Sequence, residues 1–337
     1  MSTTLFRSPL APRLQAFGEM RRALGRHAYS DYKILRYLDG YLLEVLRPGQ
    51  PLTHEMVEGW ITSMAHLSVG TRVNRLAVLR QFCRYLSHFD PRTCLISRQS
   101  LPHRTRHAPY IFTPQQVRTI MARARRIGPP GSLRPMLLST LIGVLAATGL
   151  RIGEALKLTL ADVDLTRRVL LIRQTKFNKS RHVPIAASTA CALSVFLDQR
   201  QAAGFPTVST APVFVNPDGR AYSEARICSL FLDILRTSGL RGSVGTRGPR
   251  LHDFRHTFAV QRLVTWYRQG APLASKLPLL STYLGHTTLT GTEIYLQATA
   301  ELLEEAGRRF HRHCALPPRR REASHAHQHR VAHPEVL

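Results

Sequence analysis

Four short stretches of this sequence place guanidinium, ammonium, imidazole and phenol groups at spacings that suit phosphate chemistry. In ATGLRIGEALKL, Arg151 follows an apolar run that ends near Gly149, and Glu154 stands three residues further on. A guanidinium at the edge of a buried helix is costly unless an anion pairs with it. The partner is Glu154 on the same helix face, an external anion, or both, with the carboxylate steadying the arginine. In QTKFNKSR, Lys176 and Lys179 sit between two short β-rich runs, VLLIR (169–173) and HVPI (182–185), which read as a hairpin. Hairpin lysines are ordinarily solvated, but an ammonium with three donors also suits acid catalysis at a leaving oxygen. In RLHDFRHTFAV, His252, Arg255 and His256 lie on one side of a helix, while Phe254 and Phe258 pack elsewhere. Two histidines four apart can bind zinc. Arg255 between them would repel a dication, whereas arginine and histidine together suit a phosphate. Last, LSTYLGHTTLTGTEIYLQA (280–298) carries Tyr295 nine residues after His286. Taken alone, a tyrosine in an apolar-rich helix is ordinary core.

The overall charge points the same way. Lys and Arg number 47 against 21 Asp and Glu, a net +26 over 337 residues, which brings self-repulsion unless a polyanion covers part of the surface. Nucleic acid is the expected partner. A membrane is disfavoured, because no 18-residue apolar run occurs and the basic residues are spread through folded-looking segments. The five cysteines, Cys83, Cys94, Cys191, Cys228 and Cys314, are odd in number and form no CxxC pair, so they outline neither a disulfide framework nor a zinc site. The start, MSTTLFRSPLAPRL, lacks the apolar core of a signal peptide, and a cytoplasmic location is expected.

The elements that must carry these groups divide into two domains, which the length and a 44% hydrophobic content can furnish with real cores. Residues 1–97 read as about four helices, broken at Pro48-Gly49-Gln50-Pro51 and around 68–71. The best defined begins near Thr71. Val73, Leu76, Leu79, Phe82 and Leu86 form its apolar stripe, and Arg72, Arg75, Arg80 and Arg84 lie outside it, on a solvated face or against phosphates. Residues 98–111, with Arg98, Arg104 and Arg106 among prolines, read as a basic linker. Thr113-Pro114-Gln115-Gln116 then has the form of a helix start, opening a second domain over 112–315. The tail, 316–337, is polar, basic and histidine-bearing and reads as disordered. Its histidines, with His311, His313 and Cys314, are either metal ligands or part of a plain basic tail.

ATGLRIGEAL, TKFNKSRHVPI, HDFRHTFA and LGH followed nine residues later by IY resemble, in order and rough separation, the successive active-site boxes of the tyrosine recombinases, the phage integrase family. The resemblance covers about 112–312, and the N-terminal helical segment is similar to that family's core-binding domain in size and position. The fold it implies is mainly α with a small antiparallel β-sheet, a SAM-like helical core-binding domain preceding an α+β catalytic domain. The activity it implies is site-specific recombination of double-stranded DNA through a covalent 3′-phosphotyrosine, without metal, ATP or other cofactor. Arg151 and Arg255 would bind the non-bridging oxygens of the scissile phosphate, with Glu154 supporting Arg151. Lys176 would protonate the leaving 5′ oxygen, Lys179 being the second candidate; His252 and His286 would complete the pocket, and Tyr295 would be the nucleophile. Arg72, Arg75, Arg80, Arg84, Arg104, Arg106, Lys179 and Arg181 would contact DNA. A homotetramer on paired sites, or assembly with partner recombinases, follows from the same resemblance.

Two features depart from compact members such as the Xer recombinases. The segment 261–281 is longer, and a charged helix (299–312) continues after Tyr295. Both are similar to recombinases encoded by transposons and other mobile elements. A non-catalytic DNA-binding accessory protein of the same fold and a type IB topoisomerase are the competing readings. The physical logic of strand transfer is independent of family. Attack on a phosphodiester gathers negative charge around phosphorus, which two preplaced guanidiniums stabilise. A phenol with a pKa near 10 needs cations and a base to act at neutral pH.

Overall fold

The computed structural model describes residues 5–25, 28–97, 109–173, 180–286, 288, 290–293, 304, 305, 307, 308 and 311. The first four helices are α1 (Ala11–Ala23), α2 (Ala28–Val45), α3 (His54–Ser63) and α4 (Val69–Leu86). The starts of α3 and α4 are chemically marked. The Thr53 hydroxyl accepts from the backbone N–H of Met56, and the Ser68 hydroxyl from that of Thr71, each at 3.3 Å. Ser68 therefore starts α4 two residues before the expected Thr71. Leu14, Phe17, Leu35, Leu38, Trp60, Leu76, Leu79, Phe82 and Leu86 share one core. The expected stripe of α4 is buried except for half-buried Val73, and Val78 and Cys83 join it. A buried ion pair, Arg21 to Asp31 at 2.7 Å, ties α1 to α2.

A second set of elements holds a separate core. It comprises α5 (Pro114–Ala124), α6 (Arg134–Thr148), α7 (Ile152–Leu156), β1 (Val163–Asp164), β2 (Val169–Ile172), β3 (Arg181–Pro184), α8 (Ala187–Ala202), α9 (Glu224–Thr237), α10 (Asp253–Arg268), α11 (Leu273–Leu284) and α12 (Thr290–Glu293). The capping box at Thr113 forms with Gln116, fixing the entry to α5. Tyr110 and Ile111, within the expected linker, pack against this second set of elements. Apolar α6 packs against α5, α8 and α10, as a helix hydrophobic on most faces must.

The three strands form an antiparallel sheet in the order β1-β2-β3, with Leu170 opposite Val183. This is the expected hairpin. Its strand residues alternate, Leu170, Ile172 and Val183 facing the core. The architecture among the described residues is mainly helical with one small antiparallel sheet, as the sequence implied. No helix among them is long and apolar enough to cross a membrane.

Candidate active site

The site is assembled around two left-handed glycines that stop two helices. Gly149 (φ +64°) ends α6, and a Cβ there would meet the Phe258 ring at 2.8 Å, so only glycine lets the chain turn closely past α10. The turn delivers Arg151 to the first position before α7. Glu154 then accepts from the Arg151 backbone N–H at 3.1 Å and from its Nη1 at 2.8 Å. The ion pair read from the sequence is present, and half-exposed Arg151 retains a face toward solvent. Gly285 (φ +68°) ends α11 and sends His286 back over the same region.

Three arginines converge on the end of α11. Arg181, at the start of β3, donates from Nε to the Tyr283 carbonyl at 2.9 Å. Arg255, buried on α10, donates from Nη2 to the Leu284 carbonyl at 2.6 Å and from Nη1 to the Gly149 carbonyl at 3.0 Å. Arg151 reaches the Gly285 carbonyl from Nη2 at 3.5 Å. The last carbonyls of a helix have no intrahelical donors and carry the negative end of its dipole, so this terminus naturally gathers cations. Each arginine comes from a different box, and α11 sets their mutual spacing.

The two histidines of the site are held neutral. His252 is exposed at the start of α10, yet protein packed around its ring pushes its pKa down to about 4, with further contributions from His256, Arg255, Arg151 and Arg250. Burial, then Arg255, Arg151, Arg181 and His252, pushes His286 down to about 4. The His286 Nδ1 lies 2.8 Å from the Thr292 hydroxyl, which fixes the ring. A neutral imidazole beside guanidiniums can accept a proton as well as donate a hydrogen bond. The rings of His252 and His256 meet edge to face, with centroids 4.8 Å apart. Among the described residues no cluster of three or more His, Cys, Asp or Glu is arranged to hold a metal.

Arg151, Glu154, His252, Arg255 and His286 are thus brought together. Lys176, Lys179, Tyr295, Arg104 and Arg106 lie outside the described residues, as do Arg98, His313 and Cys314. Arg181, expected on DNA, has all three of its nitrogens on protein acceptors, two of them on Glu154. Arg72, Arg75 and Arg80 are half-buried on α4 and Arg84 is exposed; Arg75 stacks over the Tyr37 ring at 4.1 Å. Tyr283 is structural. Its ring stacks on Phe258, its hydroxyl donates to the Pro184 carbonyl at 3.2 Å, and burial pushes its pKa up to about 12. Sequence reasoning missed Thr292 as the partner of His286 and the clamping of Arg181. A hydroxyl six residues after a histidine carries no recognisable signal, whereas Gly285 marking a helix end did offer one for the gathered arginines.

Residues 111–301 match the sequence model of the Phage integrase family. The chain belongs to that family. A putative integrase/recombinase, y4rB, of Sinorhizobium fredii is 36% identical over 303 residues, covering 89% of this chain and 96% of the relative. Tyrosine recombinase XerD of Bifidobacterium longum is 26% identical over 284 residues, 81% of this chain and 86% of XerD. Among solved structures, XerH site-specific recombinase bound to a palindromic difH substrate superposes with a TM-score of 0.65 at 21% identity, covering 90% of this chain and 85% of XerH. The Tn1549 transposon integrase in complex with transposon right end DNA gives 0.66 at 18%, covering 90% and 99%. These likenesses show a shared fold. The tyrosine recombinase family is one of DNA strand breakage and rejoining, and this chain is one of its enzymes.

Proposed function

We propose that this site-specific recombinase cuts and rejoins double-stranded DNA through a covalent 3′-phosphotyrosine at Tyr295. The observation that carries the reading is the convergence of Arg151 and Arg255 on the end of α11, beside two neutral imidazoles. In the proposed step, the Tyr295 oxygen attacks phosphorus, the P–O5′ bond breaks, and Lys176 gives its proton to the departing 5′ oxygen. The entering phosphate raises the pKa of a site imidazole, which takes the phenolic proton, while Arg151 and Arg255, the latter turning an N–H from the Leu284 or Gly149 carbonyl, bind the non-bridging oxygens as charge grows on them. Attack by a 5′-hydroxyl reverses each change, so the bond energy is retained and ATP is not consumed. Exchange between two duplexes requires four cuts, which calls for four protomers of this chain or of partner recombinases. Similarity to an integrase/recombinase and to a tyrosine recombinase supports the recombination of DNA in this reading.

The test is covalent trapping. A nicked duplex of the chain's own site, incubated in EDTA, is expected to yield a protein–DNA adduct. Tyr295→Phe should abolish that adduct while duplex binding persists. An adduct that survives the substitution removes Tyr295 from its role, and specific binding without any cleavage by the parent chain would favour an accessory protein. Relaxation of supercoiled plasmid without site preference would favour a topoisomerase.

A further inference from the structure

Glu154 serves two arginines at once. Its Oε1 accepts from Arg151 Nη1 at 2.8 Å and Arg181 Nη1 at 3.2 Å, and its Oε2 from Arg181 Nη2 at 2.8 Å and the Arg151 backbone at 3.1 Å. The exposures of the three side chains divide their roles. Glu154 is 9% exposed and Arg181 11%, whereas Arg151 is 35% exposed. Arg151 is therefore the member of this trio with room to meet an external anion. Arg181 has every nitrogen on a protein acceptor, and its third bond runs to α11 at Tyr283.

The charge count follows. One carboxylate between two guanidiniums leaves the cluster at net +1. Remove Arg181, and Glu154 pairs with Arg151 alone at net zero. A phosphate would then compete with a mostly buried carboxylate for Arg151, and Arg151 turning outward would leave Glu154 as a poorly paired buried charge. With Arg181 in place, Arg151 can swing onto an anion while Glu154 remains neutralised and the end of α11 remains tied.

We propose that Arg181 is a positioning residue of the strand-cleavage site: it holds Glu154 and the end of α11 so that Arg151 is available to the scissile phosphate. This rests on the recombinase mechanism above. It moves Arg181 from the DNA-contacting set to the support of the arginine pocket, and it explains why a Cβ at Gly285 would strike the Arg181 guanidinium at 2.7 Å. Close packing of this guanidinium against the glycine turn is what brings its Nε to the Tyr283 carbonyl.

The experiment measures single-turnover adduct formation on the nicked duplex of the chain's own site, with duplex affinity by fluorescence anisotropy and thermal stability read alongside. Arg181→Gln is expected to slow adduct formation on the order of 10- to 100-fold, with affinity changed less than about threefold. Arg181→Gln/Glu154→Gln removes the competing carboxylate, returns the cluster to net +1, and should recover at least about tenfold of the lost rate. Arg181→Lys keeps the charge but not the fork and should remain within about tenfold of the parent. Full-speed cleavage by Arg181→Gln overturns the proposal. So does a folded double variant that cleaves no faster than Arg181→Gln, since a purely packing role gains nothing in rate from losing Glu154. Where Arg181→Gln and the double variant fail to fold, Arg181→Lys decides: loss of more than about 100-fold refutes charge sharing. A parent chain that forms no adduct, or a Tyr295→Phe chain that still forms one, refutes the recombinase mechanism instead, and the two failures are thereby told apart.

Discussion

Arg255 donates to the main-chain oxygen of Leu284 at 2.6 Å, so a residue of α10 closes the last turn of α11. The same guanidinium holds the Gly149 carbonyl at 3.0 Å, and its burial leaves no water to replace either bond. Two helix ends are therefore referenced to one side chain, the same one proposed to meet the phosphate. Arg255→Lys can reach one carbonyl but not both while also facing a phosphate. Adduct formation should fall by at least about 100-fold with the fold retained. Arg255→Ala should additionally lower stability by about 1–3 kcal/mol, because two buried carbonyls lose their donor. Trapping on nicked DNA and denaturant unfolding, run on both variants, separate the two effects.

The glycine at the end of α11 offers a cleaner perturbation. Gly285→Ala adds strain at φ +68° and drives a methyl into the Arg181 guanidinium. Gly25 shares the left-handed geometry, at φ +73°, but a methyl there would meet nothing within 4 Å. Both substitutions should cost about 1 kcal/mol of stability from backbone conformation. Only Gly285→Ala should impair cleavage strongly, on the order of tenfold or more. Comparable cleavage by the two variants would show that contact with Arg181 is unimportant.

Both site histidines have pKa values of about 4, below the usual 6.5. For a base whose folded pKa is depressed, the unfolded chain binds more protons between the two values. Stability is therefore fully present above about pH 6.5 and declines as pH falls toward 4. His286→Asn should flatten that decline in a series of urea unfolding curves between pH 4 and 7. A duplex phosphate entering between Arg151 and Arg255 would raise both histidine pKa values, so DNA binding near pH 5.5 should take up protons. Calorimetry in two buffers of different ionisation heat measures that uptake directly, and no uptake would place the histidines away from the phosphate.

Much of this arrangement was legible in the sequence because each box pairs a chemical group with a marker of backbone shape. Gly149 ahead of Arg151, two apolar runs flanking the lysines, and i, i+3, i+4 spacing at His252, Arg255 and His256 all translate directly into elements. The hydrophobic stripe of α4 was legible for the same reason, since burial on one helix face leaves a period of 3.6. Arg181 was not legible. On a list of residues, an arginine after a lysine-bearing tip is one more cation. That it turns inward depends on the β2–β3 register and on the distance from β3 to α11, neither of which is a local property. Tyr283 and Tyr295 illustrate the same limit. Only the order of the boxes separated them in the sequence, whereas the structure gives Tyr283 a stacking partner and an acceptor.

The segment beyond the expected nucleophile yields the last prediction. Glu305 is buried and accepts from Arg268, at the end of α10, at 3.0 Å, and also pairs with Arg308 at 2.9 Å. Glu305 is thus tied to α10 of its own protomer, although strand exchange calls for communication between protomers. If it exchanges between protomers on DNA, the Arg268 contact must break and re-form in the neighbour. Truncation after Arg312 keeps Glu305 and should leave synapsis intact. Truncation after Ala298 removes it and should abolish pairing of two DNA sites while single-site binding persists. Arg268→Glu should mimic the longer truncation, and combining it with Glu305→Arg should restore pairing by reversing the ion pair. Gel-shift analysis of one-site and two-site complexes measures each variant. Unchanged two-site assembly after truncation at Ala298 would confine this contact to the single protomer.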